Sequence, residues 1–211
     1  NPVRQNLLNT TLSREEALRS FGLSPEKKTV LIVGGSLGAR TINHCVMHGL
    51  DKIKESGVQF IWQTGKFYID EARAAVKQAG EMPMLHVTDF IADMAAAYRA
   101  ADLVISRAGA GSISELCLLE KPVILVPSPN VAEDHQTKNA LALVNKEAAL
   151  YVKDSEAEEK LLNLAIQTVN EAETLNHLST NIAKLAFKDS ANIIANEVYK
   201  LALNYKKEHE H

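Results

Sequence analysis

Short apolar, β-rich runs alternate with stretches of helical periodicity along this chain, and that alternation narrows its possible architectures more than any other feature. The runs cover residues 29–33, 58–62, 85–87, 103–105, 123–126 and 150–152. They are continuous rather than alternating apolar and polar, the pattern of strands covered on both faces. Helices are expected over residues 40–55, 67–79, from Asp93, just after Gly109 and Gly111, and over 135–146. The expected fold is α/β, a Rossmann-like parallel sheet with helices on both faces. Its ligand site should lie at the carboxyl ends of the strands. A short helix before the first strand is framed by Ser13 with Glu16, a capping-box spacing, and by Gly22 as its stop. From Ser155 the pattern is only helical, and Ile193, Ile194, Val198, Leu201 and Ala202 recur as an apolar stripe. With 211 residues, 46% of them hydrophobic, the whole of 1–211 can form one domain with a helical tail over about 155–211.

Charge and cysteine usage exclude several classes of function. A formal net charge of -3 without a basic cluster leaves no electrostatic footprint for nucleic acid. The two cysteines, Cys45 and Cys117, fall in helical patterns without C-x-x-C spacing, which reads as reduced, buried thiols in a cytoplasmic setting. His44, His48 and His86 are scattered among presumed core elements, so no metal-ligand spacing emerges. No D-x-D pair is present to hold a divalent cation, and no cofactor is expected. No apolar run approaches the ~20 residues needed to span a bilayer. The chain opens on Asn1-Pro2-Val3-Arg4 without a Met, so it is expected to be a piece of a longer protein.

Two glycine-rich turns carry the chemistry. Gly34-Gly35-Ser36-Leu37-Gly38-Ala39-Arg40 follows the first strand and opens a helix. It is neither a dinucleotide fingerprint nor a Walker loop, and the second strand ends Trp62-Gln63-Thr64-Gly65 without the acidic residue that a nicotinamide dinucleotide requires. It reads either as a phosphate cradle of Ser36 and neighbouring amides or as a tight turn that binds nothing. The second turn, Arg107-Ala108-Gly109-Ala110-Gly111-Ser112-Ile113-Ser114-Glu115, places Glu115 in the first turns of a helix. A carboxylate there can accept both hydroxyls of a ribose, or it can simply favour the helix dipole. Ser112 and Ser114 lie outside any G-x-S-x-G elbow. His135 stands in the polar cluster Glu133-Asp134-His135-Gln136, where a lone loop histidine is more often a surface group or a cap than a catalyst.

Taken in order, Asn1 to Arg4, Gly34 to Arg40, Thr88-Asp89-Phe90-Ile91-Ala92-Asp93-Met94, Arg107 to Glu115 and Asp134-His135-Gln136-Thr137-Lys138-Asn139-Ala140 resemble the C-terminal half of the MurG family. Members of that family move N-acetylglucosamine from UDP-GlcNAc to lipid I, giving lipid II for peptidoglycan. The resemblance implies one half of a GT-B glycosyltransferase, the donor-binding one, with the acceptor-binding N-terminal domain absent. By the resemblance, Arg4 and Ser36 would hold the diphosphate, the Ile91 backbone would read the uracil edge beside Phe90, and Glu115 would take the ribose. Ala110, Gly111, Ser112, Ile113 and Ser114 would line diphosphate and sugar, with His135 and Gln136 on the GlcNAc hydroxyls. Core packing is the alternative for Phe90 and Ile91, and a surface position the alternative for Arg4. The resemblance further implies a cytoplasmic protein, peripheral on the inner membrane when full-length, that meets lipid I through the missing domain. No catalytic residue is expected in this half. Two rival readings are another GT-B enzyme, such as a UDP-sugar epimerase or lipid glycosyltransferase, and a non-catalytic nucleotide-sugar-binding module.

Overall fold

The computed structural model describes residues 7, 10–35, 38–130, 132 and 135–186. Six strands form one parallel sheet: β1 (Thr29–Val33), β2 (Gln59–Gln63), β3 (Leu85–Thr88), β4 (Leu103–Ser106), β5 (Val123–Leu125) and β6 (Leu150–Tyr151), in the order β3-β2-β1-β4-β5-β6. The helices are α1 (Arg14–Ser20), α2 (Arg40–His48), α3 (Leu50–Ser56), α4 (Ile69–Ala79), α5 (Met94–Ala100), α6 (Ala110–Leu118), α7 (His135–Val144), α8 (Ala157–Val169) and α9 (Ala172–Ala183). A 3-10 turn, Asp154–Glu156, precedes α8. The apolar stripe expected beyond residue 190 lies outside the described residues.

The strand runs are apolar throughout because both sheet faces are covered. Leu31, Val33, Ile61, Val104 and Leu125 face a cluster that takes in α1, α5, α6 and α7. Val30, Ile32, Phe60, Trp62, Leu103 and Ile105 face the opposite cluster, built with α2, α3, α4 and α8. Each fully buried large side chain contributes about 1.5–3 kcal/mol relative to exposure, so the continuous runs stabilise both layers. Trp62 is buried with its one donor satisfied: Nε1 donates to Asn43 Oδ1 (2.9 Å), and Asn43 Nδ2 donates to the Thr64 carbonyl (2.8 Å). Asn43 thereby ties α2 to the loop after β2.

The two edges of the sheet differ. At the amino edge, Asp102 Oδ2 accepts from Arg14 Nη2 and from the Thr29 amide, both at 2.8 Å, and closes that end. Arg14 belongs to a helix that starts as the sequence predicts, with Ser13 Oγ accepting from the Glu16 amide and Glu16 Oε1 accepting from the Ser13 amide. The carboxyl edge is open. There the chain leaves β1 in one direction and β4 in the other, the crossover point at which open α/β sheets form a crevice.

One expectation needs correction. The helix expected over 40–55 is two helices, α2 and α3, broken at Gly49. A Cβ at Gly49 would lie 2.1 Å from Leu162 Cδ1 of α8 and 3.0 Å from the Cys45 carbonyl oxygen, so the break sits where another helix packs closely. Of the α2 histidines, His44 is half-buried beside Tyr68 and lies 3.7 Å from Glu71 of α4, while His48 is exposed and pairs with Glu158 of α8. His86 is half-buried edge-on to Phe21, and burial lowers its pKa. Both cysteines are buried thiols, as expected. Burial pushes Cys45 up to about 12, helped by Glu158 and Asp154, and Cys117 up to about 11, so both stay protonated and unreactive at neutral pH.

Candidate functional site

A cavity of about 540 Å³ opens at the carboxyl edge between β1 and β4. That volume lies within the ~300–1,000 Å³ usual for small-molecule clefts. Two helices of nine residues each begin on its wall, α2 after Ala39 and α6 after Gly109, and neither has a side-chain cap. Uncapped helix starts leave backbone N–H groups without intrahelical partners and carry the positive end of the dipole. Two of them facing one cavity make a place for an anion.

The glycine loop is built to bring the first helix start close. Gly38 has φ +89°, and a Cβ there would lie 2.4 Å from the Thr64 carbonyl oxygen and 2.8 Å from the Tyr68 ring. A Cβ on Gly34 would lie 2.7 Å from that of Ala39. Any side chain at either position would push the loop away from β2 or the α2 start. At Gly111, by contrast, a Cβ would meet nothing, so the fold itself places no demand for glycine there.

Glu115 reaches the cavity from the second turn of α6. Its Oε2 accepts from the Tyr98 hydroxyl of α5 at 3.3 Å, and among the described residues its Oε1 has no hydrogen-bond partner. Gln136, at the start of α7, is buried and lines the same cavity. Its Oε1 accepts from two backbone amides, Ala108 (3.2 Å) and Ser128 (2.9 Å), so the oxygen position is forced by its partners. The Nε2 amide is therefore the group left to meet a ligand, and it can only donate. Arg107 lies at the cavity wall with its charge already paired. Its Nη1 donates to Asp154 Oδ1 (2.6 Å) and to the Val126 and Pro127 carbonyls (both 3.2 Å), while Asp154 Oδ2 accepts from Thr41 Oγ1 of α2 (2.9 Å). Arg40, the first residue of α2, is exposed on the wall and forms no ion pair with a described residue.

The residues singled out from sequence are distributed unevenly around this cavity. Ser112, Glu115 and Gln136 line it. Ala110 and Gly111 are exposed at the helix start, Ser114 Oγ turns back to donate to the Ala110 carbonyl (3.0 Å), and the Ile113 side chain is buried in the core. Phe90 is 62% exposed, which removes core packing as its explanation. The Ile91 side chain is buried in the core, its amide donates to Gln63 Oε1 (3.0 Å), and neither Phe90 nor Ile91 lines the cavity. His135 is exposed and does not line the cavity. Arg4 and Ser36 lie outside the described residues. Among the described residues no group of three or more His, Cys, Asp or Glu is placed to hold a metal ion, and no helix is long and apolar enough to cross a membrane.

The C-terminal domain of glycosyltransferase family 28 matches residues 29–194, a span that contains both glycine turns, Glu115 and Gln136. The chain belongs to this family. It is 79% identical over 99% of its length to a protein of Phocaeicola vulgatus named UDP-N-acetylglucosamine–N-acetylmuramyl-(pentapeptide) pyrophosphoryl-undecaprenol N-acetylglucosamine transferase, of which it covers 55%. A crystal structure of MurG from Acinetobacter baumannii superposes with a TM-score of 0.69 at 27% identity, over 92% of this chain and 55% of that one. The glycosyltransferase WaaG superposes with a TM-score of 0.65 at 15% identity, over 94% of this chain and 53% of that one. The fold is thus one Rossmann-like half of a GT-B glycosyltransferase. The chain spans about half the length of the curated relatives it matches.

Several wall residues of this family 28 domain escaped the reading of its motifs. Gln63, Ser106, Arg107 and Ser128 all sit at or just past the carboxyl end of a strand, a position that marks them once the sheet is known. Arg40 had a weaker signal, a cation at the first position of a helix after a glycine loop. Met94 closes one of the quoted motifs without a role assigned to it, and Tyr98 had no signal, because only the packing of α5 against the sheet brings it to the cavity.

Proposed function

We propose that this chain is the donor-binding half of an N-acetylglucosaminyltransferase that takes UDP-GlcNAc as donor and lipid I as acceptor. The observation that carries this reading is the pair of uncapped helix starts sharing one cavity with Glu115 and Gln136. The names of the relatives, which specify that donor and an undecaprenol-linked acceptor, support it. In this reading the diphosphate lies against the α2 and α6 amides. Arg40 adds a positive charge, together with Arg4 and Ser36 from the neighbouring motifs. Glu115 accepts from the ribose, the Ile91 carbonyl and Phe90 meet the uracil, and Gln136 Nε2 donates to a sugar oxygen, with His135 nearer the sugar's outer rim. Transfer places negative charge on the departing UDP. Preorganised amides and cations stabilise that charge in the transition state more than in the ground state.

The acceptor, its membrane-facing surface and the general base belong in this proposal to the other half of the full-length protein, which would sit on the cytoplasmic face of the inner membrane. His135 is exposed and does not line the cavity, so it is not read as the general base. The purified 211-residue chain is expected to bind UDP-GlcNAc in preference to UDP-glucose, which lacks the acetamido group, and to transfer no sugar to a lipid I analogue. Joined to the N-terminal half of its 79%-identical relative, it should regain transfer. Turnover by the chain alone, with full-length enzyme excluded, would overturn the assignment of roles.

Donor binding is further proposed to need no divalent cation, since amides and arginines neutralise the diphosphate. This is supported by the lack of a carboxylate cluster at the phosphate loop among the described residues. EDTA should leave UDP-GlcNAc affinity unchanged in calorimetry. A large loss restored by Mg²⁺ would sink the metal-free reading.

A further inference from the structure

Tyr98 is the only described residue that hydrogen-bonds the Glu115 carboxylate, and it does so from a different helix. Tyr98 is 4% exposed, within the apolar cluster that also holds Ile113 and Leu116 of α6. The ring is therefore held by packing, and the hydroxyl is delivered at the cavity wall. Burial, reinforced by the Glu115 charge, raises the phenol's pKa well above its ordinary value, so it remains a donor at neutral pH. The hydroxyl occupies one lone pair of Oε2 at 3.3 Å, and no described residue bonds Oε1. A cis-diol presents two adjacent donors, and a carboxylate accepts both only when its plane is correctly turned. A glutamate without an anchor would lose rotamer freedom on binding, which weakens affinity.

We propose that Tyr98 is a positioning residue for nucleotide recognition: it holds the Glu115 carboxylate in the orientation that accepts both ribose hydroxyls, and so sets a preference for ribonucleotides over dideoxyribonucleotides. This rests on the reading of Glu115 as the ribose ligand. Tyr98 acts through Glu115 and leaves the phosphate contacts untouched, so its removal should be felt only by ligands that carry the diol.

Calorimetry on the 211-residue chain with UDP and 2′,3′-dideoxy-UDP tests this. Tyr98→Phe keeps the buried ring and removes only the hydroxyl, and its thermal midpoint reads its fold independently. UDP affinity should fall roughly three- to tenfold, the effect of one hydrogen bond, while 2′,3′-dideoxy-UDP affinity changes by less than about twofold. In a Glu115→Ala background, Tyr98→Phe should cause no further loss of UDP. Equal losses for the two nucleotides, no loss for either, or an additive loss in the Glu115→Ala background would overturn the role of Tyr98. Failure of the underlying reading looks different: Glu115→Ala itself would then weaken both nucleotides equally, and the proposal would fall with its premise.

Discussion

Replacing Arg107 with alanine should lower the stability of the chain by about 3–5 kcal/mol, the range for breaking a largely buried ion pair from one side. For a chain of this size the midpoint of thermal unfolding should drop on the order of 10 °C. The side chains of Arg107 and Asp154 are only 17% and 14% exposed, so solvent screens the pair weakly. The substitution would leave Asp154 with Thr41 as its remaining hydrogen-bond partner and would strip the Val126 and Pro127 carbonyls of theirs. Those carbonyls lead into the loop of Ser128, whose amide holds Gln136. UDP-GlcNAc affinity should therefore fall with stability, even though Arg107 spends its charge on Asp154. Asp154→Ala should reproduce most of the loss, and the double variant should cost much less than the sum of the two. A midpoint unchanged in both single variants would remove this link between the phosphate-side helix and the sugar-side loop.

Glu115→Ala should have the opposite signature, with little change in midpoint and a large loss of UDP affinity. Its carboxylate is half-buried and carries little of the fold, its one described partner being Tyr98. Losing a charge-assisted hydrogen bond to a ligand costs ~1.5–3 kcal/mol, which is about one to two orders of magnitude in Kd. The loss should be much smaller for 2′,3′-dideoxy-UDP. Calorimetric losses of equal size for both nucleotides would take the ribose away from Glu115.

The strands and the two ligand-facing turns were legible because each is a local matter. A run such as Val30, Leu31 and Ile32 must be covered on both sides wherever it lies, and glycines between a strand and a helix admit few conformations. The break at Gly49 was not legible: a glycine inside a helical pattern is locally tolerable, and the crowding of that position by Leu162, more than a hundred residues on, is set by the packing of α8 against α2.

The same division runs through the site. Sequence alone determined that Glu115 stands in the first turns of a helix after a glycine turn, that Gly34 to Arg40 forms a strand-to-helix loop, and that Gln136 opens a helix, because spacing along the chain sets these. Tertiary structure decided what each of them can do. Crossing of the chain at β1 and β4 brought two uncapped helix starts to one cavity, and packing of α5 delivered the Tyr98 hydroxyl to Glu115. The Ala108 and Ser128 amides, twenty residues apart, turned Gln136 into a pure donor. Hydrogen bonds and ion pairs between distant segments depend on where the chain returns, and the local pattern of residues carries no record of that return.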